Sequence, residues 1–321
     1  MTPLIRVAAL LALTACSTLY AEPQMSSNRA QCFGRYLIDL PTSANLIGNG
    51  NKYVIATINS EKKNIVEFKK TIEEKRKELA PPKDKFYFSL VDTKFSDSNI
   101  KRIFLSHTKA GSHDLYQLDG YKLDHGYLFS MHSGVSKEYL GNTVSWMQGY
   151  TDSLIFRPRQ IIPIHAGFCF ENGFVANDGS KPQYELATLA FELKDHPDVH
   201  IVVESEVLFT KDDSLLERTS KAGLFSLFDG ASTLRKGTRT VNGVAGEEVL
   251  TRISSDQGGK AHKFRWETMG ELSNPLKPDV YVDFQTGFKP GGGTVNSSLS
   301  DKEAIAMFDQ IVNSLRFRPV K

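Results

Sequence analysis

The sequence predicts an α+β protein of two related domains, each a mostly antiparallel sheet with two packed helices. Three observations predict it. Ser153-Leu154-Ile155-Phe156-Arg157-Pro158 returns 161 positions later as Ser314-Leu315-Arg316-Phe317-Arg318-Pro319, with five of six residues identical. A strand, a helix and then several strand-like runs follow one another twice. A short cysteine motif opens each half, Cys32-Phe33-Gly34-Arg35-Tyr36 and Cys169-Phe170-Glu171-Asn172-Gly173-Phe174. Such an internal correspondence is the mark of a duplicated unit.

The elements follow in order. Gly48-Asn49-Gly50 lacks the third glycine of a dinucleotide loop and reads as a turn before a strand. Tyr53–Ile58 is that strand. It leads into a charged helix over Ser60–Leu79, with Ile65, Phe68, Ile72 and Leu79 on one face and Pro81-Pro82 as the stop. Strand-like runs follow at Phe86–Val91, Ile100–Ser106, Leu115–Leu118 and Tyr127–Met131. A second helix ends at Leu154, weakened by Gly141 and Gly149. Arg157–Ile164 then crosses to the second domain, with Pro158 and Pro163 stiffening it. There His200–Val207 is a strand, Asp213–Phe228 a helix, and Val241–Ile253, Lys263–Glu267 and Val280–Thr286 are strands. Ser300-Asp301-Lys302-Glu303 is a capping box, and Ile305, Phe308, Val312 and Leu315 line one face of the last helix. The matching residues of the second helix are Val144, Met147, Thr151 and Leu154. Trp146 and Trp266 stand at apolar positions and read as core.

The N-terminus reads as an address. Arg6 gives a short positive region, Val7–Leu13 is an apolar stretch too short to span a membrane, and Leu13-Thr14-Ala15-Cys16 fits a lipobox. The expected plan is a signal segment over 1–15, lipid attached at Cys16, a polar tether over 16–30, and domains over 31–160 and 161–321. Ser17 in place of Asp points to the outer membrane, facing the periplasm. An ordinary cut after Ala21 is the competing plan, disfavoured by Leu19 three residues before it. With Cys16 lipidated, Cys32 and Cys169 remain as an even pair in an oxidising compartment, where they are expected to form a disulfide.

Composition excludes several classes. The 39 Lys+Arg against 37 Asp+Glu leave no charge excess to hold nucleic acid, and three cysteines are too few for a zinc module. No G-x-S-x-G, H-E-x-x-H or phosphate-loop pattern occurs, so no catalytic residue, metal ligand or cofactor is assigned. Asp212-Asp213 reads as helix N-terminal charge. His107, His113, His125 and His132 fall close together but lack carboxylate or thiol partners at ligand spacing, and read as strand and loop residues. An exported chain without an active centre is expected to work by binding. Two glycine-rich loops, Ser254–His262 and Gly287–Ser298, are the expected gripping elements between the lobes.

The segments C-x-G-R-Y-x-I-D-L-P (Cys32–Pro41) and G-F-C-x-x-x-G-F (Gly167–Phe174) resemble motifs of one family. They are similar to those of the type VI secretion immunity proteins, in the two-domain family cognate to lipase effectors of the fourth class. The resemblance covers the whole mature chain. It implies a two-lobed clamp that grips a phospholipase effector and holds its lid, with no enzyme activity of its own. The gripping residues lie outside the shared motifs, so effector-binding residues stay unassigned. A lipoprotein carrying a lipid-like ligand between its domains is the alternative function.

Overall fold

The computed structural model describes residues 28–80, 88–92, 99–110, 112–221 and 231–320. The expected signal segment, Cys16, most of the tether and Pro81-Pro82 lie outside these. The first half runs β1 (Asn28–Phe33), β2 (Tyr36–Pro41), β3 (Ala44–Tyr53), β4 (Ala56–Lys62), α1 (Ile65–Glu78), β5 (Ser89–Asp92), β6 (Lys101–Ala110), β7 (His113–Asp124), β8 (Tyr127–Ser136), α2 (Leu140–Ser153) and β9 (Leu154–Phe156). The second runs β10 (Gly167–Phe170), β11 (Gly173–Ala176), β12 (Glu185–Leu193), β13 (His200–Glu206), α3 (Leu215–Lys221), β14 (Ser232–Val241), β15 (Val244–Ser254), β16 (Lys260–Glu267), β17 (Asp279–Thr286), α4 (Asp301–Asn313) and β18 (Arg316–Phe317).

The two halves repeat one topology. Each contributes six strands to a sheet of twelve, in the order β14-β15-β16-β17-β13-β12 and then β3-β4-β8-β7-β6-β5. Read outward from the centre, both halves give the same sequence of elements, so an approximate two-fold passes between β12 and β3. Those two strands pair antiparallel from Glu185↔Tyr53 to Leu193↔Ala44, with one irregularity at Ala190/Phe191. The seam between the halves is therefore a continuous backbone ladder and not a side-chain contact alone.

The closing strands are exchanged. Strand β18, at the end of the second half, pairs with β2 of the first, and β9, at the end of the first, pairs with β11 of the second. The registers agree: Phe317↔Tyr36 and Arg316↔Leu37 on one side, Phe156↔Gly173 and Ile155↔Phe174 on the other. The repeated F-R-P sequence thus marks the point where each half crosses to its neighbour. Arg157 and Arg318 are both buried there and donate to carbonyls. Arg157 reaches the oxygens of Ile161 and Phe170, at 2.9 and 3.1 Å. Arg318 reaches those of Pro163, His165 and Gly167, at 2.6–2.7 Å. Burial pulls both guanidiniums down to about 10.

Cys32 and Cys169 occupy matching places in β1 and β10 and form a disulfide, with Cα atoms 5.8 Å apart. Beside it Arg35 and Glu185, both buried, make a forked ion pair at 2.9 and 2.7 Å. Gly34 takes φ +52°, and a Cβ there would lie 2.8 Å from Ser205 Oγ, so this turn needs glycine.

One face of the large sheet is closed. Helices α2 and α4 and the two small sheets pack on it around Phe129, Leu189, Phe191, Phe264, Phe284 and Trp266. The buried residues of α4 are Ala304, Phe308, Ile311 and Val312; those of α2 are Thr143, Met147, Tyr150 and Thr151, each 161 positions earlier. Helix α1 packs on the opposite face over Phe104, Leu123 and Leu128, and α3 lies over β15.

Several expectations shift. Tyr53–Ile58 is not one strand: Val54, at φ +53°, turns the chain between β3 and β4. Gly48-Asn49-Gly50 lies inside β3 and not in a turn. Helix α1 starts at Ile65 because Asn64 caps it, accepting from Val66 N and Glu67 N, while residues 60–62 belong to β4. Val241–Ile253 folds at Asn242-Gly243 into β14 and β15. Helix α3 begins at Leu215 and is described to Lys221; its expected continuation to Phe228 lies outside the described residues. Trp266 is core, whereas Trp146 is half-buried on α2, stacked on Tyr150.

Candidate functional site

The second face of the sheet is open between α1 and α3. Helix α1 reaches Leu128 of β8, and Leu215 and Thr219 of α3 share a cavity with Asp283 and Gln285 of β17. Among the described residues the face between the helices is thus that of β13, β12, β3 and β4, flanked by the partly covered β17 and β8. Pairing register decides which side chains stand there. Directly opposed residues share a face, so Leu186, Thr188 and Ala190 of β12 stand beside Lys52, Gly50 and Gly48 of β3. Thr57 and Asn59 of β4 continue the row, opposite His132 and Ser130 of β8. On the other side come Val202, Glu204 and Glu206 of β13, then Asp283, Tyr281 and Asp279 of β17. Along β12 burial alternates strictly, with Ala187, Leu189, Phe191 and Leu193 buried and the residues between half-exposed. The open face is small at the seam, where Gly48 lies 3.7 Å from the Ala190 methyl by the position its own Cβ would take.

Charge is uneven across it. The second half presents a groove lined by Glu204, Glu206, Asp279 and Tyr281 beside Arg265 and Glu267. Arg218 donates to both Glu267 oxygens at 2.7 Å, and Arg265 Nη1 reaches Asp283 at 3.1 Å. Glu204, Glu206 and Asp279 receive hydroxyl donors instead, from Thr188, Tyr184 and Thr268. Burial, with Glu267 adding to it, raises Asp279 to about 7. Burial raises Asp283 to about 6 against the pull of Arg265. Burial raises Glu204 as well.

The two glycine-rich loops do not lie between the lobes. They fasten to each other at one end of the second half-sheet. Asp256 N donates to Thr294 Oγ1 at 3.0 Å and Thr294 N to Asp256 Oδ2 at 2.6 Å. Asp198 Oδ2, in the β12–β13 connection, accepts from Gly287 N and Ser298 N at 2.9 and 3.0 Å. Lys260–His262 belong to β16, with His262 fully buried. Glycine content reports backbone freedom, and here side-chain bonds from Asp198 and Asp256 take up part of that freedom.

The histidines of the first half stay apart in function. His107 pairs with Asp114 at 2.8 Å, His132 with Asp119 at 2.9 Å, and His125 with its neighbour Asp124. Among the described residues no group of three His, Cys, Asp or Glu side chains is placed to hold a metal ion. No described helix is long and apolar enough to cross a membrane. The seam strands β3 and β12 are what the sequence reading missed.

The chain is a duplicated antiparallel scaffold, locked across its centre by a backbone ladder. Solved structures place it within a class. The chain is similar to the apo structure of immunity protein TplEi of the type VI secretion system from Pseudomonas aeruginosa, at 26% identity and TM-score 0.78, over 92% of this chain and 98% of that one. A chain of the Tle4–Tli4 complex crystal structure matches with the same values. The TplEi structure complexed with "L" peptide, also from Pseudomonas aeruginosa, matches at 25% and 0.73, over 91% and 99%. No curated protein sequence matches the chain. The family model for the Tle cognate immunity protein 4 N-terminal domain matches residues 29–145, and that for the C-terminal domain residues 161–320. The chain belongs to the Tle cognate immunity protein 4 family, and is an immunity protein of two related domains.

Proposed function

We propose that this chain protects its own cell by covering a phospholipase effector of type VI secretion with the open face of the twelve-stranded sheet. Lipid on Cys16 would hold it at the outer membrane, on the periplasmic side where such an effector acts. The observation that carries the reading is the face of β13, β12, β3 and β4, which no described helix is seen to cover between α1 and α3. Three inter-strand spacings make it about 14 Å wide, and six residues of strand make it about 20 Å long. That is on the order of 300 Å² before the exposed parts of β17, β8 and the flanking helices add to it, against roughly 800 Å² per partner in a stable complex. The Tle4–Tli4 complex among the similar structures supports an effector as the occupant. Inhibition of this kind is occlusion, one inhibitor consumed per effector.

The test mixes the purified mature chain with the phospholipase encoded by the adjacent gene. A one-to-one complex and complete loss of lipase activity at equimolar amounts are expected. Ala190→Arg, at the middle of the seam, should weaken the complex at least tenfold, since a long cation there holds the surfaces apart. Catalytic, substoichiometric inactivation would defeat the reading. For the anchor, Cys16→Ser should leave the precursor unprocessed; a mutant exported and trimmed to the normal size argues for cleavage after Ala21. The carrier alternative wants an apolar cavity between the halves. Among the described residues an apolar cavity of ≈ 240 Å³ lies within the second half, between α3 and the strands bearing Val249, Ile253 and Phe264.

A further inference from the structure

A second, smaller feature lies where the described chain begins. A compact polar cavity of ≈ 70 Å³ is lined by Arg29, Gln31, Thr42, Arg159 and Gln160, with Pro41 and Ala44 beside them. It sits between the start of β1, the β2–β3 corner and the segment that crosses from one half to the other. Two of its residues are guanidiniums brought together from positions 130 apart in the chain.

Arg159 is held in place. Its Nε donates to Gln31 Oε1 at 3.0 Å, and its guanidinium carbon lies 5.1 Å from the centre of the Phe191 ring. Gln31 is itself buried, so the anchor is fixed. Neither Arg29 nor Arg159 has a carboxylate within salt-bridge distance among the described residues. Burial lowers the Arg159 pKa; the more distant Glu171 opposes that shift and Arg29 adds to it. Two like charges facing one half-buried cavity repel, and an anion between them reverses the sign of that interaction. Guanidinium forks match phosphate oxygens in geometry, and an Arg stacked on a ring has lost much of its freedom before the anion arrives.

We propose that Arg29 and Arg159 form an anion site that takes a phosphate group. Its ligand is either a phospholipid headgroup phosphate or free inorganic phosphate. The headgroup source rests on the proposed anchor. Eleven residues separate Cys16 from Asn28, and the connecting chain reaches at most about 40 Å, so lipid at Cys16 would keep this cavity close to the membrane surface. A phosphate seated there would turn the β1 corner toward the bilayer and fix how the open face is presented.

The experiment uses the mature chain in chloride buffer of constant ionic strength, with inorganic phosphate as the first probe. Phosphate is expected to raise the melting temperature in a saturable way, as any ligand of the native state does. Arg29→Gln, an exposed change that leaves the core untouched, should raise the apparent phosphate Kd about tenfold, the loss of one charge-assisted fork. Arg159→Lys keeps the charge but loses the fork and should weaken phosphate as well. Phosphatidylglycerol vesicles are the second probe. Capture by vesicles that phosphate competes away assigns the headgroup; saturable phosphate binding without capture assigns the free ion; either supports the site. No phosphate-specific shift over chloride, or an equal shift in Arg29→Gln, overturns it. Neither result bears on the effector complex, which is measured separately.

Discussion

The two faces of the twelve-stranded sheet are made from alternate residues of the same strands, yet they do opposite work. On β17, Val280, Val282 and Phe284 point into a closed core, while Asp279 and Tyr281 between them line an open groove and Asp283 turns toward the cavity beneath α3. On β13, Ile201 and Val203 are buried, while Glu204 and Glu206 are half-exposed. The closed face is where folding energy is gathered, and the open face tolerates charge, small residues and raised carboxylate pKa values that a stability-driven surface would avoid. The difference teaches that, among the described residues, the middle of the second face gives up burial that the first face gathers, which is how a recognition surface differs from a core.

That contrast can be broken or sharpened by substitution. Phe284→Ala, on the closed face, should cost about 3–5 kcal/mol through the cavity it leaves, read as a drop in the denaturant midpoint. An unchanged midpoint would remove the distinction at its strongest point. Replacing Cys32 and Cys169 together by Ala should cost about 2–4 kcal/mol by freeing the unfolded chain. The double variant should still fold, because the β3·β12 ladder and the exchanged strands also join the halves. Separation of the halves by small-angle scattering would show the ladder to be insufficient.

On the open face the sign reverses. Asp279 stands at about 7 in the fold against 3.8 when free. A raised carboxyl pKa stabilises the fold fully below pH 4, and the contribution is lost as pH rises through 7. Asp283, at about 6, acts in the same direction. Stability should therefore decline between pH 4 and pH 8 at this site. Asp279→Asn should raise it at pH 8 by roughly 1–3 kcal/mol and flatten that slope; a variant less stable at pH 8 contradicts the reading. The smallest expected effect on folding is that of Ala190→Arg, within about 0.5 kcal/mol of the parent, although it should damage effector binding most.

The closed face was largely legible. Helix α4 showed its capping box and its apolar stripe, and Phe308, Val312 and Leu315 are buried as the spacing required. The duplicated S-L-x-F-R-P pointed to related halves, and the register of β9 and β18 repeats it. The open face was not legible. Strand β12 hides its alternation because Leu186 and Ala190 are apolar on the outer side, so the run reads as neither strand nor helix. Strand β3 carries Gly-Asn-Gly, which looks like a turn until a partner 140 residues away supplies the ladder. Which residues share that face depends on long-range register, and no local periodicity encodes it.

The exchange of β9 and β18 also sets an order of events during folding. The first half is made first, but Tyr36 and Leu37 wait for Phe317 and Arg316, about 280 positions later in the chain. The carbonyl of Arg35 likewise waits for Arg318 N, 2.9 Å away in the finished fold. The part of the chain made earliest is thus completed last. A ribosome that stops before Arg316 would leave an open seam in the half already made, so the first half closes only when a strand from the far end of the second has arrived.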